Sequence, residues 1–274
     1  MEIRLKIHGR GNAWPVLLGE EHPFYDREDY RDLSNAAYSL LTGEDNDAIK
    51  EVLIDAGHGT VQSLVSGRNR IPDCICLTHG HMDHTLSVDW VVQSYRRKHG
   101  RESLYPVYAT RQVYEFLIRT YPQLESLIEF RQLEFGQTIL LEEAKHIHLT
   151  PFPVYHGSTG LGASMLLFET GGRRILFTGD LLTPLLSAED YVRIKDADLM
   201  VVDTNNRFPW PGTNHWSFAG SAAEPLHRSE PLESYIRDHG PGVFMDVHAG
   251  EKGSPSELFL NCFLEDWNPD KQPF

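Results

Sequence analysis

Residues 78–84 read Thr-His-Gly-His-Met-Asp-His, so four side chains that can bind a metal stand within six consecutive positions. They are three imidazoles and one carboxylate: His79, His81, Asp83 and His84. Imidazole and carboxylate together suit zinc, iron or manganese, and this density of donors could seat two ions rather than one. We interpret the segment as a metal site; the alternative is a solvated, histidine-rich turn.

The flanking residues predict that this cluster lies on a turn between a strand and a helix. Residues 73–78 are apolar and rich in strand formers, whereas Thr85 opens a segment with apolar residues at helical spacing. Loops held between rigid elements are where binding groups concentrate, because the scaffold fixes their geometry. This context favours the metal site over the solvated turn.

His-x-His-x-Asp-His after a strand resembles the signature of the metallo-β-lactamase superfamily. The resemblance implies a later histidine, then an aspartate and a second histidine at the ends of two strands. His156 in Val-Tyr-His-Gly, Asp180 after Ile-Leu-Phe-Thr-Gly and His248 after Val-Phe-Met-Asp-Val fit these places. Each is weak evidence alone, because a Gly-Asp pair is usually a turn and a strand-end histidine is usually structural. Their joint order is the stronger signal.

The resemblance covers roughly residues 50–250 and implies a binuclear site. One ion would be held by His79, His81 and His156, the other by Asp83, His84 and His248, with Asp180 between them. Asp55 matches the aspartate that supports the metal loop without binding metal. Two divalent ions are expected, with zinc as the first choice and manganese or iron as alternatives.

Such a site implies hydrolysis. Two divalent ions about 3.5 to 4 Å apart lower the pKa of a bridging water and absorb charge on the scissile centre. The expected reaction is attack of a metal-bridging hydroxide on a small phosphodiester or related ester. Asp180 disfavours antibiotic hydrolysis, because true β-lactamases carry cysteine or serine there. The alternatives are a lactonase or thioesterase of the same fold, a mononuclear iron enzyme and a ligand-binding scaffold.

A loop of residues 205–231 follows a strand that ends at Asp203, and we interpret it as a wall of the active site. A strand-end acid followed by His-x-Ser resembles the branch that contains ribonuclease Z and the cyclic phosphodiesterase of phosphonate breakdown. In that branch such a histidine assists departure of the leaving group. His215 is the candidate here, and Asp83 and His215 are the residues predicted to act in catalysis. The alternative is a loop histidine packed between Trp210 and Trp216.

The predicted fold class is α/β, as a four-layer αββα sandwich of the metallo-β-lactamase type. Ligands spread from His79 to His248 must converge, so residues 1–274 are predicted to form a single hydrolase domain. Helices are expected at residues 85–99 and 110–120. Strands are expected near residues 2–8, 34–41, 51–57, 73–78, 138–155, 164–170, 173–179, 198–203 and 242–248.

The chain has 25 lysines and arginines against 39 aspartates and glutamates, a net charge of −14. Nucleic-acid affinity comes mainly from lysine and arginine that replace counterions, so a small-molecule substrate is expected and nucleic acid is not. The densest basic run, residues 96–101, is interpreted as a solvated helix end. No membrane partner is expected, and a homo-oligomer is left open.

Cysteine usage predicts a reducing compartment. The three cysteines, Cys74, Cys76 and Cys262, lack the spacing of a disulfide framework, so we expect buried free thiols and a cytoplasmic location. The first residues alternate charged and apolar side chains like a half-exposed strand, which differs from a signal peptide. No run of 18 apolar residues is present in the sequence.

Overall fold

The computed structural model describes residues 2–9, 11, 13, 19, 28, 33–43, 49–194, 197–203, 214–215 and 243–247, the last range as backbone. Within these residues the chain forms two β-sheets with helices packed against them. The predictions made for His248, Cys262 and most of the 205–231 loop lie outside the described residues.

The first sheet contains six strands in chain order. They are β1 (Glu2–Gly9), β2 (Ala37–Gly43), β3 (Lys50–Ile54), β4 (Cys74–Cys76), β5 (Tyr105–Ala109) and β6 (Ile128–Gln132). The first three strands pair antiparallel, and β3 to β6 pair in parallel. Parallel neighbours need crossover connections, and helices supply them.

The helices in these connections lie between consecutive parallel strands. They are α1 (Thr60–Ser66), α2 (Met82–Thr85), α3 (Val88–His99) and α4 (Arg111–Thr120), followed by a 3₁₀ helix at Pro122–Ser126. Thr110 caps α4 by accepting a hydrogen bond from the backbone N–H of Val113. A fifth helix, α5 (Ala188–Ile194), belongs to the second half of the chain. Among the described residues, no helix combines the length and apolar composition that a membrane crossing needs.

The second sheet contains seven strands in the order β11-β8-β9-β10-β12-β13, with β7 paired to β8. They are β7 (Ile139–Leu140), β8 (His148–Tyr155), β9 (Ser164–Thr170), β10 (Arg173–Phe177), β11 (Thr183–Pro184), β12 (Leu199–Asp203) and β13 (Val243–Val247). A hairpin joins β9 to β10 across Gly171 and Gly172, whose φ angles are 55° and 75°. This left-handed backbone suits glycine, and β10, β12 and β13 then pair in parallel.

Side chains on the first sheet alternate between two hydrophobic cores. Cys74 and Cys76 of β4 join the core between the sheets, and both are buried free thiols as predicted. Ile75 between them faces the helices, as does Leu53 of β3. The second sheet adds to the inner core Phe152, Phe168 and Phe177. This is the layering of sheets and helices that the sequence predicts.

Several elements differ from the sequence-based expectation. β5 was missed because Pro106 argues against a central strand, yet the strand forms with every residue buried. The single strand expected at residues 138–155 is two strands, since Leu141 and Ile147 are tied by backbone hydrogen bonds of an intervening turn. The helix expected at residues 85–99 begins three residues later, as α3, and the short helix α2 precedes it within the metal loop. Also unpredicted were α1, β6 and α5.

A buried polar network joins β1 to α1 and β2. His8 Nδ1 lies 2.8 Å from Ser63 Oγ, and His8 Nε2 lies 2.7 Å from Ser39 Oγ. Ser39 in turn donates to Glu51 Oε1 at 2.6 Å. Burial, helped by the nearby charge of Lys6, lowers the pKa of His8 to about 3. His8 is therefore neutral in the folded protein at every pH near neutrality.

Stability is expected to fall as pH drops below about 6.5, because the unfolded chain protonates His8 and the folded chain does not until about pH 3. Between pH 8 and pH 5 the difference amounts to about 2 kcal/mol for this residue. Urea unfolding of wild type and His8→Gln at both pH values checks this. Burial raises the pKa of Glu51, which acts in the opposite direction in both proteins. An identical pH dependence in the two proteins would contradict the prediction.

Candidate metal centre

The candidate ligands converge because the loops that carry them all begin at the carboxyl ends of strands. The metal loop starts after β4, and Asp55 follows β3 directly in the same sheet. From the second sheet, His156 follows β8 and Asp180 follows β10. Loop residues held in this way are positioned by the two packed sheets.

Three histidines form the first group of ligand atoms. His79, His81 and His156 each offer one ring nitrogen, and these nitrogens lie within 4.8 Å of one another. His156 Nε2 and His81 Nδ1 are 3.2 Å apart. His156 Nδ1 donates to the backbone carbonyl of Asn214 at 2.9 Å, which leaves Nε2 with its lone pair directed at the group.

Asp180 lies between this group and a second one. Its Oδ2 is 3.7 Å from His79 Nε2 and 3.6 Å from His156 Nε2, and its Oδ1 is 3.3 Å from His84 Nε2. On the other side of His84 Nε2, Asp83 Oδ2 approaches to 3.6 Å. One carboxylate therefore contacts ligand atoms from both halves of the predicted binuclear set, which is the position expected for a bridge.

Asp55 supports the loop through hydrogen bonds rather than by pointing at the ligand groups. Its Oδ2 accepts from His84 Nδ1 at 2.7 Å and from Thr78 Oγ1 at 2.7 Å, and its Oδ1 accepts from the Thr78 backbone N–H at 2.8 Å. Asp55 adopts a left-handed φ of 55°. Gly57 allows the loop to approach closely, because a Cβ there would lie 1.9 Å from the Asp83 carbonyl oxygen.

Burial sets the protonation of the histidines. It holds the pKa of His79 well below its ordinary value, lowers that of His81, and lowers that of His156 to about 4. Burial alone would also lower the pKa of His84, but the charges of Asp180, Asp55 and Asp83 raise it well above the ordinary value. Neutral imidazole is the form that binds a metal, so the first group is prepared for one.

The residues present fit divalent metal ions. Zn–N bonds of 2.0–2.1 Å in a tetrahedral site place neighbouring ligand atoms about 3.3 Å apart, and the separations measured here run from 3.2 to 3.7 Å. Within the described part of the chain, the buried Nε2 of His79 has no hydrogen-bond partner. A buried polar atom of this kind costs free energy unless something binds it.

His215 lies at the rim of the same site. Its Nδ1 lies 2.9 Å from Oδ2 of Asp203 and 3.8 Å from Oδ2 of Asp180. Burial lowers the pKa of His215, but the carboxylates of Asp203, Asp180 and Asp83 outweigh it and raise that pKa to about 9. His156, Asp180 and His215 also form a third group that could hold a metal. Trp210 and Trp216, its partners in the alternative interpretation, lie outside the described residues.

The structure thus brings together seven of the predicted site residues: His79, His81, Asp83, His84, His156, Asp180 and His215. For His248, only the preceding strand is described. Strand β13 runs parallel to β12, with Val247 opposite Asp203. The carboxyl end of β13 therefore lies beside the site.

Sequence reasoning missed three supporting groups. Asp203 was noted as a strand end but not as the partner of His215, although an acid at a strand end followed by His-x-Ser was the available signal. Thr78 was missed as a link between the sheets: its carbonyl accepts from the Ser164 N–H at 2.9 Å. The third group, the carbonyl of Asn214, belongs to the backbone, so nothing in the sequence indicates that it binds His156.

A family model described as "Beta-lactamase superfamily domain" matches residues 50–231. Among curated proteins, "Endoribonuclease YSH1" of Candida glabrata is 28% identical over 257 residues, covering 81% of this chain and 30% of the relative. "Endoribonuclease ysh1" of Schizosaccharomyces pombe is 27% identical over 244 residues, covering 80% and 30%. The chain therefore spans less than a third of the length of these relatives.

Solved structures share the fold. "A New Diphosphatase from the PhnP Family" superposes with a TM-score of 0.66 at 18% identity, covering 90% of this chain and 86% of the other. YhfI from Bacillus subtilis gives 0.67 at 15% identity, covering 96% and 92%. The short form of human tRNase Z gives 0.57 at 14% identity, covering 89% and 92%. These similarities confirm the predicted α/β fold of the metallo-β-lactamase type.

The comparisons correct the predicted partner. A small-molecule substrate without nucleic acid was expected from the net charge, and this prediction is wrong, because the curated relatives that cover four-fifths of the chain are named endoribonucleases. The physical reason is that net charge is a sum over the whole surface. Binding of a phosphate chain depends on the potential along the path that it occupies.

Proposed function

Because the chain belongs to the β-lactamase superfamily, we propose that it is a metal-dependent hydrolase that cleaves phosphodiester bonds in RNA. The observation that carries the proposal is the convergence of three buried histidines, His79, His84 and His156, on the carboxylate of Asp180. The names of the curated relatives support RNA as the substrate class.

We propose that the site holds two divalent ions. His79, His81 and His156 would hold one, Asp83, His84 and His248 would hold the other, and Asp180 would lie between the two groups of ligands. Such ions supply a water nucleophile at neutral pH and stabilise charge that develops on phosphate oxygens. The zinc-like ligand set favours zinc, with manganese or iron as alternatives.

The chain itself fixes the ligands before any substrate binds. Asp55 accepts the Nδ1 hydrogen bond of His84, and the Asn214 carbonyl accepts that of His156, so each ring presents Nε2 to the site. Fixing the orientation and tautomer of a metal-binding histidine in this way raises metal affinity. Asp55 therefore acts as a positioning residue.

His215 is proposed to act on the leaving group. Its Nδ1 lies 2.9 Å from Oδ2 of Asp203, and the other ring nitrogen, Nε2, is the atom proposed to give a proton to the departing ribose oxygen. Water adds to phosphorus and gives up a proton to solvent, the bond from phosphorus to the departing oxygen breaks, and that oxygen takes the proton from His215. His215 then regains a proton from solvent. The products are one RNA fragment with a terminal phosphate and one with a terminal hydroxyl.

Cleavage of RNA is expected to require a divalent metal. The full chain, dialysed against chelator and reloaded with Zn²⁺ or Mn²⁺, is incubated with an end-labelled single-stranded RNA of about 20 nucleotides. We expect fragments that appear with metal, vanish with chelator and are absent for Asp180→Asn. The matched control is Asp198→Asn, which removes a surface carboxylate paired with Arg173. Metal-loaded protein that leaves the RNA intact would overturn the proposed function.

A further inference from the structure

Two surface cavities lie along helix α3. The first, about 330 Å³ in volume, is lined by apolar residues of α1, by residues 69–72 of the loop that follows it, and by Trp90, Val91, Ser94 and Lys98 of α3. The second, about 500 Å³, is lined by Gln93, Arg96, Arg97 and Arg101. Both cavities are lined by α3, and we call five exposed residues of this helix and of the turn after it the α3 basic face: Trp90, Gln93, Arg97, Lys98 and Arg101.

Helical geometry places on one side of α3 the four of these residues that belong to the helix. Spacings of three, four, seven and eight residues recur on the same face of a helix, and Trp90, Gln93, Arg97 and Lys98 follow them. The opposite face is apolar and buried, with Val88, Val91 and Val92 in the core under the first sheet. The basic face therefore contributes nothing to that core.

The cations of this face are available to a ligand. Arg97, Lys98 and Arg101 are exposed, and none of them forms an ion pair with a carboxylate in the part of the chain that the structure describes. Asp89 near the helix start and Glu102 are the acids closest in sequence. These cations form a local positive surface on a chain with a net charge of −14.

A solvated helix end does not explain the whole surface. Cations in the last turn of a helix complement its dipole, which accounts for Arg97 and Lys98. It does not account for Arg101, which follows the helix, or for Trp90 near its start. The Trp90 side chain is 59% exposed, although burying such a ring is strongly favourable. Exposed aromatic rings beside cations are the combination that binds single-stranded nucleic acid, through base stacking and phosphate contacts.

Helix α3 begins close to the metal centre and leads away from it. His84 precedes the first residue of α3 by four positions, and α3 extends about 18 Å from there, with Arg97 and Lys98 in its last turn. At about 3.4 Å per nucleotide, a strand whose scissile phosphate lies among the metal ligands would need only several nucleotides to reach these cations along the helix. We propose that the α3 basic face binds the single-stranded RNA that flanks the scissile phosphate, with Arg97, Lys98 and Arg101 on phosphates and Trp90 stacked on a base. This proposal rests on the proposed function.

The charge contribution is tested with Arg97→Gln/Lys98→Gln against Arg119→Gln/Lys145→Gln, a control that removes one exposed arginine and one exposed lysine elsewhere. With fluorescent 20-nucleotide RNA at about 50 mM salt, we expect the first pair to weaken binding about tenfold and to reduce the salt slope by about 1.4. The control pair should change neither. Equal behaviour of the two pairs would overturn the proposal.

The stacking contribution is tested with Trp90→Ala. We expect about tenfold weaker binding of single-stranded RNA and unchanged binding of a duplex of the same sequence, because paired bases offer no free face. Equal losses on both RNAs, or none, would overturn the stacking role. Hydrolysis of bis-p-nitrophenyl phosphate, which has no flanking chain, should stay at the wild-type rate in all three variants and shows that they are folded.

Binding and cleavage are measured separately so that the two proposals can fail separately. If wild type and the Arg97→Gln/Lys98→Gln variant cleave RNA with the same KM, the proposed role of the α3 basic face is wrong and the proposed function stands. If RNA is bound through α3 but is never cleaved, the proposed function is wrong and the α3 basic face still stands as a binding surface for RNA.

Discussion

Replacing Asp180 by asparagine is expected to lower RNA cleavage on the order of 10³-fold, because bound divalent ions contribute several kcal/mol of transition-state stabilisation. The carboxylate contacts ligand atoms from both groups, at 3.3 Å from His84 and 3.6 Å from His156. An amide keeps the shape but loses the charge and one of the two acceptor oxygens. Elemental analysis after dialysis should find close to two ions per wild-type chain and fewer in the variant.

Asp55→Asn is the informative comparison for this variant. Asp55 holds His84 Nδ1 and Thr78 without being a proposed ligand, so its loss should weaken metal binding by about 10- to 100-fold while leaving both sites present at high metal concentration. Asp180→Asn should retain less metal than Asp55→Asn at every concentration. Equal retention in the two would undo the bridging role of Asp180, and one ion in fully active wild type would reject a binuclear centre.

Replacing His215 by alanine is expected to lower kcat on RNA by roughly 10²- to 10⁴-fold, since a ribose hydroxyl is a poor leaving group that needs a proton. On a p-nitrophenyl phosphodiester, whose leaving group needs little protonation, the loss should be much smaller. Asp203→Asn should follow the same pattern more weakly, because Asp203 holds His215 Nδ1 at 2.9 Å. Rates on both substrates, measured on metal-saturated protein, check this.

Two measurements separate the proposed role of His215 from other roles. His215 belongs to a cluster with His156 and Asp180 that could itself hold a metal, so metal content should be unchanged in His215→Ala if it acts on the leaving group. A loss of one ion would make it a ligand instead. His58→Ala, which removes an exposed histidine from the neighbouring loop, should retain wild-type rates on both substrates. Equal losses on both substrates for His215→Ala would indicate damage to the loop.

The sequence indicated which side chains converge better than it indicated the elements around them, and the reason is physical. A metal site needs side chains that can bind metal, placed in a particular order after strands. His79, His84, His156 and Asp180 are therefore recognisable in the sequence. β5 leaves a contrary signal, because Pro106 disfavours a central strand and only the neighbouring strands override it. Propensity is local, whereas the pairing that decides such a strand is not.

The supporting contacts were hidden for a related reason. The backbone carbonyl of Asn214 orients His156, which lies 58 positions away in the chain. Every residue has a backbone carbonyl, so the sequence does not indicate which one forms this hydrogen bond. The partner was misjudged because the net charge of −14 was taken to describe every surface. Arg97, Lys98 and Arg101 show that a local positive surface can exist on an acidic chain.

The hydrogen bonds of Asp55 bear on how the protein acquires its metal. Both carboxylate oxygens of Asp55 accept hydrogen bonds from Thr78 or His84. The carbonyl of Thr78 in turn accepts a hydrogen bond from Ser164 of the second sheet. These hydrogen bonds between protein atoms hold the loop, in contrast to zinc fingers, which are unfolded without their ion. The apoprotein should be folded, and loading should be a binding equilibrium with little change in circular dichroism. Supply of metal would then switch catalysis on and off in a protein that persists in either state.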